Sequence, residues 1–106
     1  MNEIVEIFKG DTVVVAVAVT KAGVPFPLSG YTCRFLVKTS KSGGSIIADV
    51  TANESDIVNN TFVCDLGVIS EEVGNYYYEA IVSKVSPAFR KVVAQNEFNI
   101  LRSIEE

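Results

Sequence analysis

Apolar and polar positions alternate with a period of two along most of this chain, the spacing of extended strands with one buried face. Val13, Val15, Val17 and Val19 share one side of a run whose other side carries Thr12, Ala16, Ala18 and Thr20. Tyr31, Cys33, Phe35 and Val37 alternate with Thr32, Arg34 and Lys38, and Phe62, Cys64 and Leu66 with Thr61, Val63 and Asp65. Tyr76, Tyr78, Ala80 and Val82 alternate with Tyr77, Glu79 and Ser83, and Phe98 and Ile100 with Glu97 and Asn99. Weaker runs over 3–8, 45–51 and 91–95 complete the set. Turn-forming residues separate the runs at Lys9-Gly10-Asp11, Ser42-Gly43-Gly44, Asn59-Asn60, Gly74-Asn75 and Ser86-Pro87. Ser70, capping Glu71 and Glu72, predicts one helical turn before Gly74. The pattern predicts an all-β fold: an immunoglobulin-like antiparallel β-sandwich of seven or eight strands.

The link between the first two long runs, Lys-Ala-Gly-Val-Pro-Phe-Pro-Leu-Ser-Gly-Tyr over 21–31, is more elaborate than a turn requires. Gly23 supplies turn freedom, and Pro25 and Pro27 are expected to bar ladder pairing and to guard an edge against strand addition. Phe26 and Leu28 are expected to fold back as a hydrophobic strap, with Ser29-Gly30 turning the chain into the run that starts at Tyr31. The two long runs are expected to be neighbours with buried faces. The link reads as a structural corner.

At 106 residues the chain is expected to be one domain spanning 1–106, with its core over about 3–101 and a tail at 102–106. The hydrophobic share is 48% and the mean hydropathy +0.29, a surplus of apolar residues that favours a partner at the surface. The longest apolar run, 13–19, is far shorter than the roughly 18 residues of a spanning helix. Met1 is followed by Asn2 and Glu3 without a basic or apolar leader pattern, so synthesis in the cytoplasm is expected. The net charge of −4 argues against nucleic-acid binding. Between Lys41 and Lys84 there is no base, and seven acids are concentrated there: Asp49, Glu54, Asp56, Asp65, Glu71, Glu72 and Glu79. This is either ordinary solvation of loops or a polarised surface that docks head-to-tail.

Candidate chemistry is sparse. Histidine is absent, which removes the commonest general base and metal ligand. Cys33 and Cys64 both fall on inward faces, as packed thiols or, alternatively, as a cross-sheet disulfide. Asp49, Glu54 and Asp56 lack the spacing of a calcium loop. Two N-x-[ST] sites, at Asn53 and Asn59, match glycosylation acceptors. Of the three consecutive tyrosines, Tyr76 and Tyr78 point one way and Tyr77 the other. Tyr77 is thus a candidate exposed aromatic, against an ordinary cross-strand packing role. No phosphate loop, nucleophile elbow or zinc spacing is visible, so no enzyme activity and no cofactor is expected. The interface candidates are Pro25, Phe26, Pro27, Leu28, Tyr31, Tyr76, Tyr77 and Tyr78.

Several motifs in order carry a resemblance. They are Gly10-Asp11-Thr12; Gly23, Pro25, Leu28, Ser29, Gly30 and Tyr31; Gly74, Tyr76, Tyr78 and Glu79; and Phe98 with Ile100. Together the chain resembles small phage tail and baseplate domains, in particular the N-terminal domain of phage upper baseplate proteins. Residues 40–60 follow no such pattern, and Gln95-Asn96-Glu97 stands where the family often has a glycine. The resemblance implies an immunoglobulin-like sandwich with a structural, non-catalytic role in a virion tail or prophage remnant. Its implied partners are other tail or baseplate proteins and further copies of itself, with no nucleic acid and no membrane. A secreted immunoglobulin-like adhesin or carbohydrate-binding module is the alternative, and a hydrolase using Asp49, Asp56 or Asp65 a third reading.

Overall fold

A computed structural model describes residues 3–86 and 88–102, and the alternating runs become strands packed in two layers. The strands are β1 (Val5–Phe8), β2 (Thr12–Ala18), β3 (Thr20–Lys21), β4 (Val24–Pro25), β5 (Thr32–Lys38), β6 (Ile46–Thr51), β7 (Ile57–Val58), β8 (Thr61–Val68), β9 (Gly74–Lys84) and β10 (Phe89–Leu101). One sheet has the order β1-β10-β9-β5-β6, the other β2-β8-β7, and β3 pairs with β4 in a small hairpin. The fold is an all-β sandwich. Ten strands are described where seven or eight were expected, because three of them are only two residues long. The ladder is antiparallel except at one place: β1 runs parallel to β10, from Val5 opposite Phe98 to Phe8 opposite Leu101.

The core lies between the sheets. Val13, Val15, Val17 and Val19 meet Cys33, Phe35, Val37, Tyr78, Ala80, Val82, Phe98 and Ile100, all buried, and Phe62 and Cys64 join from β8. Phe35 and Tyr78 stack with centroids 5.1 Å apart. The Tyr78 hydroxyl, which burial would otherwise leave unsatisfied, donates to the Glu3 carbonyl at 2.6 Å. β2 and β5, expected to be neighbours with buried faces, belong to opposite layers and bury those faces in the shared core.

Three local expectations change. Residues 70–73 form no helical turn, and Gly74 and Asn75 belong to β9, opposite Ile100 and Asn99. The Tyr76 hydroxyl holds this segment by donating to the Glu72 carbonyl at 2.8 Å. The described helical turn is a 3-10 turn at Glu54–Asp56. The two runs expected over 91–95 and around Phe98 are one strand, β10, whose register shifts between Val92 and Ala94. That bulge breaks the period-two signal, so a continuous strand reads as two. Pro87 of the expected turn and residues 103–106 of the expected tail lie outside the described residues; Arg102 is exposed and follows β10.

The link between β2 and β5 also differs from expectation. Pro25 does pair, with Thr20, and Lys21 pairs with Val24, so the segment opens as a hairpin. Its two turn residues, Ala22 (φ 54°) and Gly23 (φ 79°), both have positive φ, the pattern of a type I′ turn. Glycine takes this conformation freely; alanine does so under strain. Ala22→Asn should therefore stabilise the fold by about 0.5–1 kcal/mol, read as a higher urea midpoint with an unchanged m-value. An unchanged or lower midpoint would show that the hairpin is not held in this turn. The expectation for the rest of the link holds. Leu28 is fully buried in the core and Phe26 packs against it.

Candidate interaction surface

Hydrogen bonds tie the link to the opposite layer. The Phe26 N–H donates to the Val19 carbonyl at 3.0 Å, and the Leu28 N–H to the Asn59 carbonyl at 2.9 Å. The Asn60 side chain donates to the Val19 carbonyl at 3.0 Å, and the Tyr31 N–H to the Leu28 carbonyl at 3.0 Å. Leu28 anchors this strap in the core. The residues on either side of it, Phe26 and Tyr31, are left half-buried at the rim.

At that rim they meet Phe89, the first residue of β10. Phe26 and Tyr31 make an edge contact with centroids at 5.4 Å, Tyr31 and Phe89 another at 5.5 Å, and Phe26 stacks on Phe89 at 6.2 Å. The Lys84 ammonium sits 5.0 Å from the Tyr31 ring centroid, within the range of cation–π attraction. Phe89 remains 37% exposed, and Val85, in the turn after β9, is almost fully exposed. A groove of about 490 Å³ opens beside the cluster, with Phe26, Phe89, Val82 and Val92 on its walls and Lys21 and Lys91 among its lining. A second groove of about 630 Å³ lies across the strap, lined by Pro27, Tyr31, Ile57 and Glu54 among others. The arrangement offers aromatic faces, apolar walls and lysine cations, groups that suit protein contact.

The other interface candidates separate. Leu28 and Tyr78 are buried within the core. Pro25 and Pro27 are exposed beside the aromatic cluster. Tyr76 is half-buried. Tyr77 is also half-buried rather than exposed, on the outer face of the large sheet, with the Lys41 ammonium 5.5 Å from its ring centroid. Tyr77 and Lys84 lie seven positions apart on β9, about 23 Å along the strand, so the tyrosine run and the link do not form one patch. Phe89 was missed because the sequence pattern starts this strand at Lys91. An aromatic just after a proline turn was the signal available.

Some of the titratable groups have structural partners. Arg34 and Asp49 form a two-pronged ion pair, Nε to Oδ1 and Nη2 to Oδ2, each 2.6 Å. The hydrogen bond from Arg34 holds the Asp49 carboxyl below the usual carboxylate range. Asp65 accepts the Gly67 N–H at 2.8 Å within a bulge of β8. The acidic stretch is thus partly neutralised in place. Cys33 and Cys64 are free and buried, so the bridge of the alternative reading is not formed. Burial pushes both thiols up to about 11, and the Cys64 thiol contacts the Val50 carbonyl at 3.6 Å. Neutral, enclosed thiols are poor nucleophiles. Among the described residues no cluster of three or more metal-ligating side chains occurs. Among the described residues no helix is long and apolar enough to cross a membrane.

Compared with known proteins, the chain matches no family model and no curated protein.

Proposed function

We propose that this chain is a non-catalytic structural module of a phage or prophage tail or baseplate, working by protein–protein contact. The aromatic cluster of Phe26, Tyr31 and Phe89 beside its groove carries the contact reading: it is a partly exposed apolar surface with a cation at its edge. Such surfaces supply the anchors of many interfaces. The phage reading rests on the ordered motifs, whose residues occupy turns and core positions of the sandwich. Gly10 turns the chain after β1, Leu28 and Gly30 form the strap and its turn, and Tyr78, Phe98 and Ile100 fill the core. On this reading the protein is made in the host cytoplasm and ends in the virion tail.

The test is to mix the purified chain with the other tail proteins of the same phage and measure association by light scattering and interferometry. Binding is expected, and Phe89→Ala, at an exposed position, should weaken it by about tenfold or more while leaving the fold intact. A chain that binds none of the tail proteins sinks the proposal.

A further inference from the structure

Every strand edge of a sandwich is a row of backbone donors and acceptors that must be paired, covered or made unattractive. Most edges here carry such a device. β6 carries Asp49 and faces a register shift at Val37–Lys38. β7 is two residues long. The stretch of β10 that β1 does not reach contains Arg90, Lys91, Glu97 and a bulge. β1 is four residues long and carries Glu6.

β2 is the exception. It is seven residues long, Thr-Val-Val-Val-Ala-Val-Ala, with no charge, no proline and no glycine. Among the described residues it pairs only with β8. The extra residue at its one irregularity, Leu66, belongs to β8, so β2 itself is unbroken. Its outer side chains, Thr12, Val14, Ala16 and Ala18, are exposed, Val14 by 57%.

The hydrogen-bond parity identifies which groups are open. The Val19 N–H donates to the Asn60 carbonyl across the β8 side. In an antiparallel ladder the bonding direction alternates, so Val17 and Val15 also bond toward β8. The N–H and C=O groups of Val14, Ala16 and Ala18 therefore point to the open edge.

We infer that β2 pairs with β2 of a second copy, antiparallel about a two-fold axis at Val15, joining two three-stranded sheets into one continuous sheet. This inference rests on the assembly reading only for the use the dimer would serve. The strand is self-complementary in that register. Val14 falls opposite Ala16, both with open backbone groups, and Thr12 falls opposite Ala18. Val13 falls opposite Val17 on the core face, so both apolar faces continue across the junction. No like charges oppose each other, which the charged edges of β6 or β10 would not guarantee. A two-fold contact of this kind closes on itself and stops at a dimer.

The experiment uses the whole chain. Light scattering over a dilution series should show a dimer that dissociates, and hydrogen exchange should show the Val14, Ala16 and Ala18 amides protected at high concentration and exposed on dilution. Ala16→Lys sets two cations near the axis and should weaken the dimer by about tenfold or more, and an equimolar mixture with Ala16→Glu should restore it. Circular dichroism checks that each variant is folded, and the wild-type exchange series needs no variant. A monomer at all concentrations overturns the inference. So does protection independent of concentration, which would mean that the chain covers its own edge, or a dimer insensitive to Ala16→Lys. Loss of the dimer with tail-protein binding retained would leave the proposed function standing. Loss of tail-protein binding in a chain that still dimerises would remove that function and leave this pairing.

Discussion

Replacing Phe35 by alanine is expected to destabilise the protein by about 3–5 kcal/mol, measured as the shift in urea-unfolding free energy. Phe35 is fully buried at the centre of β5 and stacks on Tyr78. The ring lies fully buried in the core that both layers share, so its removal loses apolar transfer energy and opens a space that close-packed neighbours fill only in part. A domain of this size has a total stability of about 5–15 kcal/mol, so the variant should be folded only marginally, or not at all, at 37 °C. Phe35→Leu, which keeps most of the volume, should recover much of the loss. A cost below about 1 kcal/mol for alanine would mean that the two layers do not meet at this residue.

Alkaline pH should unfold the protein through its two thiols. Burial raises Cys33 and Cys64 from an ordinary value of 9.0 to about 11. A raised value means that the folded state holds these protons more tightly than the unfolded chain. Their contribution is complete below pH 9 and is lost progressively as pH rises toward 11. Each thiol accounts for at most about 2–3 kcal/mol across that window. The Tyr78 phenol is raised as well, by burial and then by the charge of Glu3, and adds in the same direction at still higher pH. Urea midpoints at pH 7, 9, 10 and 11 should fall steeply. The double variant Cys33→Ala, Cys64→Ala should start lower at pH 7 but fall less. Parallel curves for the two proteins would remove the thiols as the cause.

The large strands were legible because a half-buried strand writes its environment into alternate residues. Val13 to Val19 and Tyr76 to Val82 display that signal, and their inward faces are the observed core. The signal fails where geometry departs from strict alternation. The bulge in β10 shifts parity at Val93, and Gly74-Asn75 resembles a turn while lying in a ladder. Sequence spacing also carries no information on which strand pairs with which, so the parallel β1–β10 pair and the separation of β2 from β5 came only with the fold. The aromatic cluster was half legible. Phe26 and Tyr31 stood out in the proline-rich link, but Phe89 reaches them from 63 and 58 residues further along the chain.

The parallel pairing of β1 with β10 also fixes how the molecule bears load. Val5 lies beside Phe98 and Phe8 beside Leu101, so the chain enters the pair at one end and leaves it at the other. Tension applied through the two ends of the chain pulls these strands past each other lengthwise. Their hydrogen bonds are then strained together instead of opening one at a time like a zipper. A strand of only four residues thus meets such a load with all its pairings at once.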